Sequence, residues 1–407
     1  MTAIDDSSTR KRGPSRGSRP WIGVAVCLCA CLVALLVAEV AVRLWPPIPE
    51  ERLLPFPYNA RRVERIAADD TYLRFDRDLG WGLAPNHTRR DAGLVYRINS
   101  QAMRADREYP VQPPPERQRI AAFGDSFTHC SDVTQQDCWV PRLEAAWPGS
   151  EVLNFGVTAY GPDQAWLRYQ RDGRPFQPCG VLIGYFVEDI DRVVNRFRPF
   201  IHPDDSVVLS KPRFLLDGDE LTLLPNPTSD PRQLGDPEYV ERTLGPHDSW
   251  YFPGTFVPGP FDQFGIARLA RTAAYQQSRT ALVRSEERYP FYEEQGEAYQ
   301  IAGRILIQFA EQVRSDGAAP VAIVMPGETD LRAAAGGQPA YWPLVTWLGR
   351  AGVPVVDLTG VLTEAAEEHG VDRLFVERHY SALGNAIVAQ HLAQTVPDLV
   401  AHSCKTP

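Results

Sequence analysis

Apolar and polar positions divide this 407-residue chain into stretches of different character. Residues 21–38 (WIGVAVCLCACLVALLVA) carry no charge, and apolar character continues to Trp45 apart from Glu39 and Arg43. From 46 to 117, prolines and arginines leave room only for short strand-like pieces such as GLVYRI at 93–98. Beyond this the rhythm changes. Short apolar runs at 120–123, 152–155, 181–186, 321–325 and 353–357 alternate with helical-period segments at 139–147, 163–172, 304–315, 341–351 and 381–395. Short buried strands separated by helices predict an α/β protein, with a parallel sheet covered on both faces. Residues 196–262 break the alternation with many prolines and a hairpin-like FLLDGDELTL, which predicts an insertion over one sheet edge. The division that follows is a basic tail (1–20), an apolar helix (21–45), an extension closed by VQPPP (46–117) and a main domain (118–407).

The apolar helix is long enough to be a membrane anchor. Its 25 residues span about 37 Å at about 1.5 Å each, against a hydrocarbon core of about 30 Å. Trp21 and Trp45 stand where interfacial aromatics belong, and Glu39 and Arg43 are spaced to pair on one helix face. Arg10, Lys11, Arg12, Arg16 and Arg19 precede it, so a cytoplasmic N-terminus and an external main domain are expected, as in a single-pass protein of a bacterial inner membrane. Two alternatives share that outcome. One is a cleaved signal peptide, which usually has a shorter apolar core. The other is a lipoprotein with Cys31 as the lipidated residue of LCAC.

Composition narrows the partners. The chain is 44% hydrophobic and 23% charged, as folded proteins are, and a net charge of −9 argues against nucleic acid. No cysteine–histidine spacing resembles a metal site, and no phosphate loop or dinucleotide fingerprint occurs, so neither metal nor cofactor is expected. Cys130 and Cys138 are close enough in sequence to bridge in an oxidising compartment. Cys179 and Cys404 read as unpaired.

The candidate chemistry begins where the first of the later apolar runs ends, in Phe123-Gly124-Asp125-Ser126-Phe127-Thr128. A Gly-Asp-Ser turn by itself also reads as a helix cap. In a parallel sheet, however, ligands gather at the carboxyl ends of the strands, which is where Ser126 falls. A serine nucleophile needs a base and donors for the developing oxyanion. His379, just before the last helical segment, supplies a base, and Glu377 two residues earlier supplies an acid to orient it. The backbone amides of Ser126 and of Gly156, in Asn154-Phe155-Gly156, supply candidate donors. Asp125 reads as a structural residue of the turn and His129 as an ordinary polar residue. The second glycine of a nucleophile elbow is absent, since position 128 is threonine.

Together, Gly-Asp-Ser-Phe-Thr at 124–128, Asn-Phe-Gly at 154–156 and a final acid-x-histidine before a helix resemble the SGNH/GDSL hydrolases, over about 119–396. The lead-in INSQAMR at 98–104 is similar to that of membrane-anchored bacterial members. The resemblance implies a three-layer α/β/α, flavodoxin-like fold. It also implies acyl transfer through an acyl-serine, from esters of cell-envelope or exported polysaccharide, to water (esterase) or to a sugar hydroxyl (O-acetyltransferase). The transferase case leaves open a membrane partner that supplies the acyl group. Two positions depart from the family pattern. Where an asparagine donor is usual this chain has Glu188-Asp189, and an ionised carboxylate cannot donate a hydrogen bond. The acid is also glutamate, with Val376 where many members carry an aspartate. A non-catalytic glycan-binding or assembly protein on the same fold is the alternative.

Overall fold

The computed structural model describes residues 20–58, 60–68, 71–283, 290–334 and 337–404. The basic tail expected at 1–20 lies, except for Pro20, outside the described residues.

Helix α1 (Pro20–Leu44) realises the apolar segment, with nearly all its side chains exposed. Glu39 and Arg43 pair at 2.7 Å, as their spacing predicts. The extension contributes α2 (Ala60–Ala67) and two hairpins, β1 (Leu73–Asp76) with β2 (Gly80–Leu83) and β3 (Thr88–Asp91) with β4 (Leu94–Arg97). Its buried side chains, among them Ile66, Tyr72, Trp81, Tyr96 and Met103, join the same hydrophobic cluster as one face of the central sheet.

That sheet has five parallel strands: β5 (Gln118–Phe123), β6 (Ser150–Asn154), β7 (Gly180–Phe186), β10 (Ala319–Met325) and β11 (Val355–Asp357). Their spatial order is β6-β5-β7-β10-β11. Counted in sequence this is the 2-1-3-4-5 flavodoxin-like order, with its switch point between β5 and β7. All five coincide with predicted apolar runs. Alternation along each strand divides the core in two. In β5, Ala121 and Phe123 face one cluster while Ile120 and Ala122 face the other.

Helices cover both faces. The Gly-Asp-Ser turn opens α3 (Ser126–His129), and α4 (Trp139–Ala146) and α5 (Pro162–Arg168) follow on opposite sides. The insertion holds α6 (Arg198–Ile201), the hairpin β8 (Arg213–Asp217) with β9 (Glu220–Leu224), and α7 (Pro237–Leu244). Its apolar residues, such as Phe200, Leu209 and Leu234, also enter the first cluster. Then come α8 (Gly265–Val283), α9 (Glu297–Ser315), α10 (Glu328–Ala334), α11 (Trp342–Arg350), α12 (Thr359–His369) and α13 (Val371–Leu374). The two-residue strands β12 (Phe375–Val376) and β13 (His379–Tyr380) lead into α14 (Ala382–Val400). The α1 helix meets the start of α8, where Glu39 accepts hydrogen bonds from the amides of Gly265 (2.9 Å) and Ile266 (3.0 Å).

Cys130 is joined to Cys138, with Cα atoms 5.3 Å apart. Cys179 and Cys404, expected to be unpaired, are joined as well. The reason is packing. The end of α14 lies against the start of β7, where a Cβ on Gly180 would come within 3.1 Å of Val400.

Candidate active site

Strand β5 ends at Phe123, and the chain turns through Gly124 and Asp125 directly into α3. Asp125 caps that helix by accepting from the amide of Phe127 at 2.9 Å. The turn is tight because α3 packs on bare backbone: a Cβ on Gly124 would fall 2.3 Å from Thr128 Oγ1. Ser126 Oγ is thereby held at the carboxyl end of the sheet, 2.8 Å from His379 Nε2 and 3.2 Å from Asp125 Oδ2.

His379 lies on β13, and its ring packs 5.2 Å from that of Phe127, which itself stacks on Phe186 at 4.1 Å. Its other nitrogen, Nδ1, is 2.6 Å from Asp132 Oδ2. A proton on Nδ1 bonded to that carboxylate leaves Nε2 as acceptor for the serine hydroxyl, the arrangement a general base requires. Glu377, the acid expected there, occupies the two-residue turn between β12 and β13 at φ 53°. Glu377 lines the cavity with His379, but among the described residues no hydrogen bond or ion pair joins the two, and Nδ1 meets the loop after α3. Asp132 takes the position instead.

Asp132 is held by its own loop. Cys130 ends α3 at φ 61° and Asp132 sits at φ 64°, both unusual for residues with a Cβ. Three restraints keep them there. The first is the Cys130–Cys138 bridge. The second is a hydrogen bond from the Asp132 amide to Tyr96 Oη at 2.9 Å. The third is Arg104, fully buried, which donates to the carbonyls of His129 (2.7 Å), Cys130 and Val133 (2.6 Å). Tyr96 and Arg104 belong to the extension, so that segment helps to build the site.

His129 is buried one turn after Ser126, bonded to the Tyr72 hydroxyl and stacked on Tyr96. Burial, with Arg104 close by, pushes its imidazole well below its ordinary range. It is a neutral structural group, in keeping with its reading from sequence.

The expected donors divide. The Gly156 amide donates to Asn154 Oδ1 at 2.9 Å and is therefore committed. Gly156 serves close packing instead, since a Cβ there would fall 2.3 Å from the backbone nitrogen of His129. Among the described residues no protein acceptor meets the amide of Ser126 or that of Ala159. Ala159, at φ 65°, lines the same cavity as Ser126. The only hint of it in the sequence is a small residue in a loop that opens a helix. Glu188 lines the cavity, whereas Asp189 is buried and paired with Arg192 at 2.6 Å. Arg192 also reaches Asp125 at 3.4 Å and donates to the Tyr160 carbonyl at 2.7 Å, tying the turn to the loop after β7.

The cavity measures about 630 Å³ and is walled by both loop regions and the insertion, with Ser126, Ala159, Glu188, Trp250 and His379 on its surface. Its size is that of an ordinary small-molecule site. Burial and neighbouring Arg198 push His202, on the insertion side, down to about 3. Among the described residues no group of acidic, histidine and cysteine side chains could hold a metal ion.

No family model and no curated protein matches this chain. It is similar in structure to a member of the lipolytic protein G-D-S-L family from Veillonella parvula DSM 2008, at 11% identity and a TM-score of 0.34, covering 68% of this chain and 97% of that one. It is also similar to an acetyl xylan esterase, AlAXEase, at 11% identity and a TM-score of 0.34, covering 68% and 99%. A variant of Axe2, an acetyl-xylooligosaccharide esterase from Geobacillus stearothermophilus, is similar at 12% identity and a TM-score of 0.36, covering 70% and 94%.

Proposed function

We propose that this protein is a serine acyl-ester hydrolase or acyltransferase of the SGNH/GDSL type, acting outside the cytoplasm on esters of cell-envelope or exported polysaccharide. One observation carries the reading: the hydrogen-bonded chain Ser126–His379–Asp132 at the mouth of an open cavity. In the first half-reaction Ser126 Oγ attacks the ester carbonyl carbon as its proton passes to His379 Nε2. Asp132 stabilises the resulting imidazolium. The carbonyl electrons move onto the oxygen, which the amides of Ser126 and Ala159 receive. Collapse expels the alkoxide, which takes the proton from His379 and leaves an acyl-serine. Water or a sugar hydroxyl then repeats the sequence in reverse, giving hydrolysis or transfer. Glu188 does not serve as a donor in this scheme while ionised.

The external location rests on the length and apolar character of α1 and on the basic residues that precede it. Alkaline phosphatase fused after Pro407 is expected to be active in bacteria, and a fusion active only as a cytoplasmic reporter would reverse the orientation.

A fluorophosphonate tests the chemistry, because it labels only an activated serine. Labelling of the full chain at Ser126, with turnover of 4-nitrophenyl acetate, supports the proposal. Adding a sugar acceptor separates transfer from hydrolysis. The carboxylate of Glu188 on the cavity wall favours a second reading, a non-catalytic glycan-binding protein. Absence of labelling at Ser126 would establish that reading in place of the first.

A further inference from the structure

Helix α1 meets the main domain at one level of its length. Glu39 and Val42 share a helix face, and within 21–45 only these two residues are partly covered. Glu39 caps α8 at Gly265 and Ile266, and Val42 lies where a Cβ on Gly265 would meet it at 2.9 Å. Arg43 donates to the carbonyl of Gln263 at 2.8 Å.

That level is the far membrane interface when α1 is read as an anchor. Its 25 residues exceed a hydrocarbon core of about 30 Å by about 7 Å, or about five residues. With Trp21 on the near side, the last turn of α1 emerges among the headgroups. A carboxylate at the edge of the core is costly without partners, and Glu39 has a guanidinium and two amides. The start of α8 is held at the same depth.

The loop that leads into α8 suits such a depth. Among the described residues, which include all 17 phenylalanines, only Phe261 and Phe264 are exposed, at 66% and 46%. They flank Gln263, the residue bonded to Arg43. The loop is fixed rather than slack. Asp262 accepts from the Gly259 amide at 2.6 Å and pairs with Arg271 at 2.5 Å, and the Phe264 amide donates to the Phe261 carbonyl at 2.9 Å. Apolar rings that a rigid loop keeps exposed mark an interaction surface, and aromatic rings at headgroup depth match a membrane interface.

The chain leaving α1 then climbs α8. Glu50 pairs with Arg268, the Leu54 amide donates to Thr272 Oγ1 at 3.0 Å, and the Phe56 ring packs 5.3 Å from that of Tyr275. One turn further, Arg279 lies over Trp250 at 4.7 Å and lines the Ser126 cavity. From Gly265 to Arg279 on α8 is about 21 Å of helix.

We propose that the main domain is seated on the bilayer through Phe261 and Phe264, whose rings enter the outer headgroup zone beside the end of α1. Helix α8 is then a strut that keeps the Ser126 cavity within about 21 Å of the lipid. This rests on the reading of α1 as a membrane anchor, to which it adds a second contact.

The test uses the full chain in phosphatidylcholine vesicles, with a fluorescent amino acid replacing Phe261, Phe264 or, as a reference, Trp342, which is exposed on α11. Lipids brominated near the headgroup are expected to quench the label at 261 and 264, and more than lipids brominated deep in the chains. Iodide in the water should quench the label at 342 alone. Iodide quenching at 261 and 264 equal to that at 342, in a chain that resists extraction by alkaline carbonate, would overturn the seating and leave the anchor intact. Release of the chain by carbonate would remove the anchor reading and this proposal with it. Protection from iodide without quenching by brominated lipid would assign the two rings to a protein contact, and would also overturn the proposal.

Discussion

His379 Nδ1 lies 2.6 Å from the carboxylate of Asp132, 247 residues earlier in the chain. Among the described residues Glu377, two residues from the histidine, makes no hydrogen bond to it, and the acid that does stands on the loop that follows Ser126. The proposed nucleophile and its distal acid are therefore positioned by one short segment, while the base arrives from the far end of the chain.

Asp132→Asn is expected to lower kcat on 4-nitrophenyl acetate by up to about 10⁴-fold, because the amide no longer favours the productive tautomer or stabilises the imidazolium. Glu377→Gln should change it by less than about 3-fold, the behaviour of a residue not hydrogen-bonded to the ring. Steady-state rates on the two purified variants decide the matter, and the reverse ranking would restore Glu377 as the partner.

Arg104→Gln removes the guanidinium that serves three carbonyls of the loop between His129 and Val133. Leaving these buried acceptors without a donor is expected to cost about 2–4 kcal/mol of stability. Because the same loop carries Asp132, labelling of Ser126 by a fluorophosphonate should slow as well. Urea unfolding and labelling rate are the readouts. A variant as stable and as reactive as the native protein would show that the extension does not position the site.

Peptide mapping without reduction should recover two bridged pairs, Cys130 with Cys138 and Cys179 with Cys404. The second closes a loop across 225 positions, so Cys404→Ser should destabilise the chain by about 2–5 kcal/mol. Free thiols at Cys179 and Cys404 in protein from an oxidising compartment would contradict the pairing.

The depressed imidazole of His202, about 3 against an ordinary 6.5, makes a contribution to stability that depends on pH. Above 6.5 it is neutral in both folded and unfolded chains, and no dependence arises. As pH falls below 6.5 the unfolded chain takes up a proton that the folded one refuses. The native protein should then lose stability relative to His202→Asn by up to about 1.4 kcal/mol per pH unit. Denaturant unfolding of both proteins from pH 8 to pH 4.5 checks this, and a constant difference would show that the ring is solvated.

Several features of this protein follow from local sequence alone. Apolar runs of strand length made the five parallel strands legible, because a strand buried on both faces has little choice but to be apolar throughout. The placement of Ser126 after β5 and of His379 before α14 was legible for a related reason, since strand ends and helix starts are marked by local capping chemistry. The α8 and α12 helices went unread. Their alanine-rich periodicity is weak, and α8 begins where Glu39 of α1 caps it from across the chain. What tertiary structure alone decided is which side chains meet. Glu377 was the natural choice by proximity to His379 and Gly156 by its place in the Asn-Phe-Gly block, yet one sits at a hairpin tip and the other has its amide committed to Asn154. Asp132, Ala159 and the Cys179–Cys404 pair become partners only when loops from distant segments fold over the sheet. Local sequence encodes periodicity and caps, because these depend on neighbours three or four residues away. The direction in which an amide, a carboxylate or a thiol points at the sheet's edge depends on what packs behind it, and here that includes an extension, an insertion and a C-terminal helix.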